Sequence, residues 1–579
     1  MDTIQTSGEK QALKNMNKKE EANTGAPKSL SAPHKAFANS LYTSSGKDII
    51  DQILGHDSPR ELVRHFPCED FFWLIKKVGD ESCLPMLELA SEEQWQYLLD
   101  LEVWKKDRIG LDEASRWLSQ LHQADPSRLA KWLLNEGRNF AHYFFIRKIL
   151  IRIVDKDEEY EVQDELFTLD GVFYIKVIDG KQKEIIEKIL RAIAMEDFDL
   201  YQALLVGIGG VLPDEVEEEN YRLRNIRLAE HGFLPFEEAL SIYSFLEPKA
   251  INVKTNTEMD EVFTDEKISK LVPAFPLNHI DGHSLLTDTL SRIVDERLLD
   301  RIRLEFAALC NQILTADSNI PGELEILIKA CQKAAGYLNL ALEKLCGEDI
   351  SSAEKVLENN HIHHIFRVGF GQVLQLKWEI ERRLRDSWFS RRDLGFSFWG
   401  DNWGGVLRGI LSKRPLCYVG FEKGNEFRDF NKLSELESCR RLSKGLMYLD
   451  KVIGKLTELY PLEEGLLGES ITSCHPLLFN FWARKQLDIK LCFSSVSLEE
   501  AKEFFRLLRI EDDKLPYRMV GFEHIFIEDF MAYARSLGLE SDRELKHVLS
   551  VIWQEFREEF EWVSPDKLDR RFMRFIQIR

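Results

Sequence analysis

The sequence predicts a mainly α-helical protein, with stacked short helices at the N-terminus, longer helical bundles after them and one small β-hairpin element. Three observations predict this class. Helix start signals recur at short spacing across residues 57–104. Leu and Ile recur at helical spacing in 284–314 and 322–345. Asp170-Gly171 is a hairpin-turn signal flanked on both sides by β-forming residues, which predicts a two-residue turn between strands at 166–169 and 172–178.

The short helices are marked by capping residues. Ser91 and Gln94 form a capping box, in which each side chain accepts a hydrogen bond from the other residue's backbone N–H. Asp125 precedes Pro126, the pairing of a cap residue with a first-turn proline. The high density of aromatic residues here predicts that large rings pack between the short helices. The alternative is an exposed aromatic binding face. The tryptophans concerned are Trp73, Trp95, Trp104, Trp117 and Trp132.

Changes in composition divide the chain into six segments. They are a disordered tail (1–47), a short-helix array (48–145), a β-hairpin with helices (146–249), a linker or crossing loop (250–280), a helical domain (281–393) and an aromatic, Gly-rich loop followed by a C-terminal helical domain (394–579). The tail holds seven Lys against four acidic residues and has little apolar periodicity, which is typical of disorder. Capping boxes at Ser434/Glu437, Ser497/Glu500 and Ser541/Glu544 predict that helices continue towards the C-terminus.

Composition narrows the class of protein. The formal net charge of the 579 residues is −21, so general nucleic-acid binding is not expected. The nine cysteines are scattered singly, without a Cys-x-x-Cys pair, and the first residues of the sequence do not show the pattern of a signal peptide. No apolar run approaches the roughly 20 residues needed to span a membrane. We therefore expect an acidic, soluble, cytoplasmic protein with reduced thiols, without membrane insertion.

No pattern assigns a catalytic residue, a cofactor or a metal. Walker, Rossmann, His-Glu-x-x-His and Gly-x-Ser-x-Gly motifs are absent from the sequence. Glu358-x-x-His361 and Glu544-x-x-His547 match half of a di-iron motif, but chance alone supplies about as many matches. We expect Asn359-Asn360 to break the helix between Glu358 and His361. The cluster His361-x-His363-His364 is either part of a zinc site or a polar turn before a helix that starts near Phe366.

The best single location for a ligand is the aromatic, Gly-rich segment 396–414. Its rings would provide a stacking platform for a sugar, peptide or base, its glycines would permit close backbone approach, and its arginines lie nearby. The alternative is an aromatic-anchored loop that closes over a core. The candidate ligand-binding residues are Phe398, Trp399, Trp403, Arg408 and Arg414.

Residues 58–100 resemble the cytosolic N-terminal domain of a magnesium-transporter family, which repeats a Leu-Pro-x-Glu-Asp type start followed by Leu pairs. The resemblance implies a right-handed stack of short helices and does not imply transport. The matching residues are Phe66-Pro67-Cys68-Glu69-Asp70, Leu84, Leu87, Leu98 and Leu99.

Nearly the whole chain also resembles a bacterial family of unknown function. The resemblance is carried by GFLPFEEALSIY (232–243), HIFRVGF (364–370) and RPLCYVGF (414–421). It implies no activity.

These observations favour a non-enzymatic helical scaffold or regulatory interaction protein with a protein partner, docked through the 48–145 array. The alternative is an enzyme or small-ligand-binding protein with its site near 396–414. A third hypothesis is a divalent-cation sensor that uses acidic helix faces. An enclosed cleft with convergent ionisable residues would favour the ligand site, and a broad apolar groove on the array would favour docking.

Overall fold

The computed structural model describes most of the chain. The described residues are 41, 44–153, 166–208, 212–251, 272–280, 282–318, 323–420, 426–463, 466–467, 473–509, 514–538 and 543–579. Nearly all of the predicted disordered tail, and residues 252–271 of the predicted linker, lie outside these ranges.

The N-terminal part of the described chain is a series of short helices. They are α1 (Gly46–Leu54), α2 (Pro59–His65), α3 (Cys68–Val78), α4 (Leu84–Leu89), α5 (Glu92–Glu102), α6 (Leu111–Ala124), α7 (Pro126–Leu134) and α8 (Arg138–Lys148). The Ser91/Gln94 capping box at the start of α5 and the Asp125 cap of α7 are both confirmed.

Helices also dominate the remainder. They are α9 (Lys183–Glu196), α10 (Phe198–Ile208), α11 (Pro213–Glu230), α12 (Phe236–Ala239), α13 (Phe275–Asn278), α14 (Leu285–Arg292), α15 (Glu296–Ala316), α16 (Leu324–Cys346), α17 (Ile350–Asn359), α18 (Ile362–Arg385), α19 (Trp388–Arg391), α20 (Gly400–Leu411), α21 (Leu433–Leu459), α22 (Cys474–Gln486), α23 (Leu498–Leu507), α24 (Phe522–Ser536) and α25 (Arg543–Phe560). The mainly α prediction is confirmed.

Strands are few and short in the described residues. They are β1 (Trp104–Lys105), β2 (Arg108–Ile109), β3 (Ile149–Ile153), β4 (Leu166–Phe167), β5 (Phe173–Val177), β6 (Cys417–Tyr418) and β7 (Phe427–Arg428). The strands β1 and β2, and likewise β6 and β7, form antiparallel pairs. The other three form one antiparallel sheet in the order β3-β5-β4.

The predicted turn at Asp170-Gly171 forms, but not as a two-residue turn. Phe167 pairs with Ile175, so the connection between β4 and β5 is longer and the register differs by one residue. Gly171 takes a positive φ of 71°. The Asp170 carboxylate accepts hydrogen bonds from the backbone N–H groups of Val172 and Phe173, both at 2.9 Å. The carboxylate thus accepts the hydrogen bonds that backbone carbonyl groups would accept in a tight turn.

Aromatic packing in the array is confirmed. Its five tryptophans, at 73, 95, 104, 117 and 132, are all buried. Trp95 donates its indole N–H to the Leu87 carbonyl at 3.0 Å, and the Arg128 guanidinium lies 3.8 Å above its ring centroid. Arg128 also donates to the carbonyls of Leu87 and Ala90 at the end of α4. One buried guanidinium therefore satisfies the free carbonyls of a six-residue helix that cannot cap itself.

The array is joined to later helices through buried carboxylates. Asp100 accepts hydrogen bonds from two guanidinium nitrogens of Arg227, with Nε–Oδ2 at 2.7 Å and Nη2–Oδ1 at 2.8 Å. Asp70 accepts from the backbone N–H groups of Ala274 and Phe275 at the start of α13. Such charge-assisted bonds are directional, and these fix the position of the array against α11 and α13.

Capping in the C-terminal part was partly predicted. The Ser497/Glu500 box is confirmed, and Ser541 of the third predicted box lies outside the described residues. The prediction of a Ser434/Glu437 box is wrong, because α21 already begins at Leu433. There the Glu435 carboxylate accepts from the backbone N–H groups of Asn431 and Lys432.

None of the described helices is both long enough and apolar enough to cross a membrane. All nine cysteines are free, and the thiols of Cys310 and Cys331 lie 3.7 Å apart between α15 and α16.

Candidate functional site

The predicted stacking rings are packed inside the protein. Phe398, Trp399 and Trp403 are exposed by 2%, 0% and 4%. The Phe398 and Trp399 rings contact each other at 5.2 Å between centroids, and the Phe389 ring lies against both. Neither face of these rings is open to solvent, so they contribute to the core in this conformation.

The segment predicted as a Gly-rich loop is largely helical. Residues 396–399 form a 3-10 helix, and α20 follows from Gly400. A methyl group at Gly405 would overlap the Tyr418 ring, and one at Gly409 would lie 2.6 Å from the Leu416 carbonyl oxygen. The prediction of a loop was wrong because these glycines admit close packing against neighbouring segments of the chain.

The two predicted arginines lie apart from each other. Arg408 is exposed and pairs with Glu426, with Nη2–Oε1 at 2.6 Å. Arg414 has different partners: it donates to the Asp317 carboxylate and the Ala316 carbonyl, and its guanidinium lies 4.4 Å from the centroid of the Tyr243 ring. The five predicted site residues therefore do not form one site.

Arg414 belongs to a buried cluster of two cations, two carboxylates and two phenols. Its members are Tyr243, Asp317, Lys333, Tyr337, Arg414 and Asp429. Lys333 Nζ lies 2.9 Å from Asp317 Oδ2 and 3.7 Å from Asp429 Oδ1. Tyr243 donates to Asp317 at 2.6 Å, and Tyr337 donates to Asp429 at 3.2 Å.

Burial shifts the titrations inside this cluster. Burial, and then the Asp317 charge, raise the pKa of Tyr243 well above its usual value. Burial also raises the pKa of Asp429 against the opposing effect of Lys333. The formal charges balance and the groups are paired with one another, which is the arrangement expected of a structural ionic network.

The histidine cluster lies at the start of a helix. The helix break predicted at Asn359-Asn360 is confirmed, but α18 begins at Ile362, so His363 and His364 are helical and do not form a turn. His361 Nδ1 lies 2.9 Å from the Glu305 carboxylate. Among the described residues no group of three or more His, Cys, Asp or Glu is arranged to hold a metal ion.

An open groove lies on the outer face of α18, beside α21. We call it the Trp378 groove, and its volume is about 480 Å³, within the range of small-ligand sites. Five of its lining residues recur at i, i+3, i+4, i+7 and i+8, so they share one face of α18; the sixth, Arg440, comes from α21. The lining residues are Gln375, Trp378, Glu379, Arg382, Arg383 and Arg440.

One carboxylate in the groove is shared by two guanidinium groups. Glu379 Oε1 accepts from Arg383 Nη2 at 2.7 Å, and Glu379 Oε2 accepts from Arg440 Nε at 3.2 Å. Arg382 forms no ion pair or hydrogen bond with any residue the structure describes. Lys377, on the same helix, is instead bound to the Ser412 carbonyl at 2.8 Å. The groove therefore carries an excess of two positive charges in an acidic protein.

Trp378 is the aromatic component of the groove. It is 46% exposed, and the Phe245 ring packs against it with centroids 5.5 Å apart. Its supporting contact holds the indole in place while leaving part of the ring open to the groove. The three tryptophans that follow Trp378 in the sequence, Trp388, Trp399 and Trp403, are all buried.

Sequence reasoning missed this groove for identifiable reasons. The apolar positions Val373, Leu376, Ile380 and Leu384 predict the helix, and its opposite face carries Trp378 among charges. That face alone is indistinguishable from a solvated helix surface, and arginines also suit the C-terminal end of a helix dipole. Arg440 is the residue that converts the face into a site, and its position depends on the packing of α21.

A family model matches residues 28–579, which is almost all of the chain. The chain belongs to a family of unknown function, DUF6178. The whole-chain resemblance to a family of unknown function is thus confirmed for this DUF6178 protein. No curated protein and no solved structure matches it. The resemblance of residues 58–100 to a magnesium-transporter domain stays a prediction.

Proposed function

We propose that this DUF6178 protein binds a small anionic ligand in the Trp378 groove. The observation that carries the proposal is the convergence of three guanidinium groups on a groove that contains a single carboxylate. Arginine forks match the geometry of carboxylate and phosphate groups and bind them with charge-assisted hydrogen bonds. The proposal keeps the ligand-binding alternative drawn from the sequence and moves its site from the buried rings at 396–403 to the face of α18.

The charge of the whole chain strengthens this argument. A protein with a net charge of −21 repels anions at long range, so a cationic groove on its surface is a local exception. Arg382 is exposed and without a partner among the described residues, which leaves its donors available to a ligand. Arg440 is not at a helix end, so a helix dipole does not account for it.

The scaffold hypothesis receives less support from the geometry. Residues 44–145 are all described, and within them Leu54 is the exposed large apolar side chain. A partner of the array would meet a largely polar surface, without the broad apolar groove that docking would favour. Docking through the array therefore stays a prediction, and the divalent-cation hypothesis has no cluster of metal ligands among the described residues to support it.

The test compares thermal melting in sodium phosphate and in sodium chloride of equal ionic strength. We expect phosphate to raise the melting temperature, because a ligand at ten times its Kd stabilises the folded state by about 1.4 kcal/mol. Arg382→Gln should weaken phosphate binding about tenfold, the effect of removing one charge-assisted hydrogen bond. Because Arg382 has no partner among the described residues, the substitution should leave the fold intact.

The matched control is Arg385→Gln, which removes an equal charge from an exposed position in the same last turn of α18, outside the groove lining. It should retain the response to phosphate. The proposal is overturned if phosphate gives no stabilisation beyond chloride, or if it stabilises the wild type and Arg382→Gln equally.

A further inference from the structure

We infer that the ligand of the Trp378 groove is a nucleoside phosphate, whose base stacks on Trp378 while its phosphate displaces the Glu379 carboxylate from Arg383 and Arg440. This inference rests on the proposed function and adds the class of ligand and the way in which it is admitted. Three neighbouring side chains carry the inference. The Trp378 indole is partly exposed, Arg382 has no partner among the described residues, and the Glu379 carboxylate binds one arginine from α18 and one from α21.

The indole provides a surface for a planar ring. Trp378 is 46% exposed, and Phe245 supports it from one side at 5.5 Å between ring centroids. Aromatic side chains bind bases through their faces, and this stacking tolerates any base because every base has a π-face. A simple phosphate or sulfate would make no use of this ring, so the aromatic component indicates a ligand with its own planar group.

The spacing on α18 suits a ligand with two ends. Arg382 lies four residues after Trp378, which separates them by about 6 Å along the helix axis and places them on the same face. A ribose links a base to a phosphate over a comparable span. A nucleotide lying along α18 would therefore stack its base on Trp378 and bring its phosphate to Arg382, with Arg383 and Arg440 within the same groove lining.

Glu379 occupies the position that we assign to the phosphate. Each of its carboxylate oxygens holds one arginine, Arg383 from α18 and Arg440 from α21. A phosphate has more acceptor oxygens and more negative charge than a carboxylate, so it binds the same two forks and Arg382 together. The Glu379 side chain is 26% exposed, and it can turn outwards when it is displaced. Glu379 thus competes with the ligand from within the protein.

The groove fits a free nucleotide better than a nucleic acid. Its volume of about 480 Å³ belongs to a small-molecule site. A polynucleotide would bring many phosphates against a chain whose net charge is −21, so long-range repulsion would oppose its binding. The negative charge of a mononucleotide phosphate is matched by the excess of two positive charges in the groove.

The experiment is calorimetric titration of the full chain with AMP, GMP, adenosine and inorganic phosphate, in buffer free of divalent metal ions. We expect AMP and GMP to bind at least tenfold more tightly than phosphate, and adenosine to bind more weakly than AMP. Trp378→Ala should reduce AMP affinity to the level of phosphate while leaving phosphate affinity unchanged. The matched control is Trp562→Ala, which removes an exposed tryptophan outside the groove lining and should change neither affinity.

Glu379→Gln tests the displacement. The substitution keeps the shape of the side chain and removes the competing charge, so the affinity for both AMP and phosphate should rise by about three- to tenfold. A fall in both affinities would overturn the displacement, because Glu379 would then be positioning the arginines for the ligand. Circular dichroism of each variant separates these outcomes from a loss of folding.

The outcomes distinguish this inference from the proposed function. If phosphate binds in an Arg382-dependent manner but AMP and GMP bind no more tightly, the ligand is an anion without a base and the inference is overturned alone. If Trp378→Ala leaves AMP affinity unchanged, the stacking is wrong. If phosphate, AMP and GMP all fail to bind, the inference and the proposed function fall together.

Discussion

His475 is a buried polar side chain whose Nδ1 lies 3.3 Å from the Ser473 hydroxyl oxygen. It is 6% exposed, it stacks on Phe575 at 4.4 Å, and a methyl group at Gly400 would lie 3.0 Å from its ring. Its Nε2 is 3.5 Å from Glu555 Oε2. Burial, and then the Arg574 charge, lower the pKa of His475 to about 4. The neutral imidazole is therefore the form that fits the folded protein.

We expect His475 to make the protein less stable in acid. Its pKa is lowered by folding, so between about pH 6.5 and pH 4 the unfolded chain binds a proton that the folded chain does not. The stability contributed by the neutral ring is complete above pH 6.5 and is lost as the pH falls. His475→Gln should reduce the acid-induced loss of unfolding free energy by about 2 to 3 kcal/mol, measured by urea denaturation at pH 7 and pH 4.

The control for this measurement is His283→Gln, because His283 is fully exposed. It should leave the pH dependence of the unfolding free energy as it is in the wild type. Equal pH dependence in His475→Gln and the wild type would contradict the assignment.

At the scale of elements, glycines set how closely the long helices approach. A methyl group built on Gly369 in α18 would overlap the Tyr337 carbonyl group of α16, with its carbon atom at 2.8 Å. The backbones of the two helices meet there, so no side chain can move aside. This contact positions α18, and with it the face that carries the Trp378 groove.

We expect Gly369→Ala to lower the unfolding free energy by about 3 kcal/mol, towards the upper end of the cost of overpacking. The control is Gly371→Ala on the same helix, where a methyl group would lie 3.1 Å from the Phe245 ring, a side chain that can shift, and 3.3 Å from the Leu246 carbonyl oxygen. Its effect should stay within about 1 kcal/mol, because the gain in helix propensity offsets the contact. Similar losses in both variants, measured by urea denaturation, would contradict this account.

At the scale of the whole molecule, partly buried polar contacts join segments that are distant in sequence. Asp100 and Arg227 are 127 positions apart, and Asp317 and Arg414 are 97 apart. Lys333 lies between Asp317 and Asp429 and is only 8% exposed. Removing one partner from such a cluster leaves a carboxylate buried without its cation.

We expect Lys333→Met to lower the unfolding free energy by about 3 kcal/mol, because Asp317 and Asp429 both lose this cation. The control is Lys329→Met, one turn earlier on α16, where the lysine is 62% exposed and pairs with an exposed Glu325. That substitution should cost no more than about 0.5 kcal/mol. Guanidinium denaturation of the two variants distinguishes the outcomes, and equal losses would show that the cluster does not stabilise the fold.

The features that depend on local interactions could be predicted from the sequence. The mainly helical class, the Ser91 and Ser497 capping boxes and the Asp125 cap all follow from side chains within a few residues of the backbone groups they satisfy. The helix break after Asn359 was likewise predicted. The register between β4 and β5 was not, because the Asp170 side chain supplied turn hydrogen bonds that a two-residue turn does not need.

The packing of the helices against one another sets which aromatic and charged side chains are open to a ligand. Trp378, Trp399 and Trp403 lie close together in the sequence, yet Trp399 and Trp403 are packed in the core while Trp378 is exposed. Arg414 is not part of the predicted site, because it pairs with Asp317, which is distant in the sequence. Arg440 lines the groove because the packing of α21 brings it to Glu379. Exposure and pairing over such distances depend on how helices pack, and no local pattern encodes that.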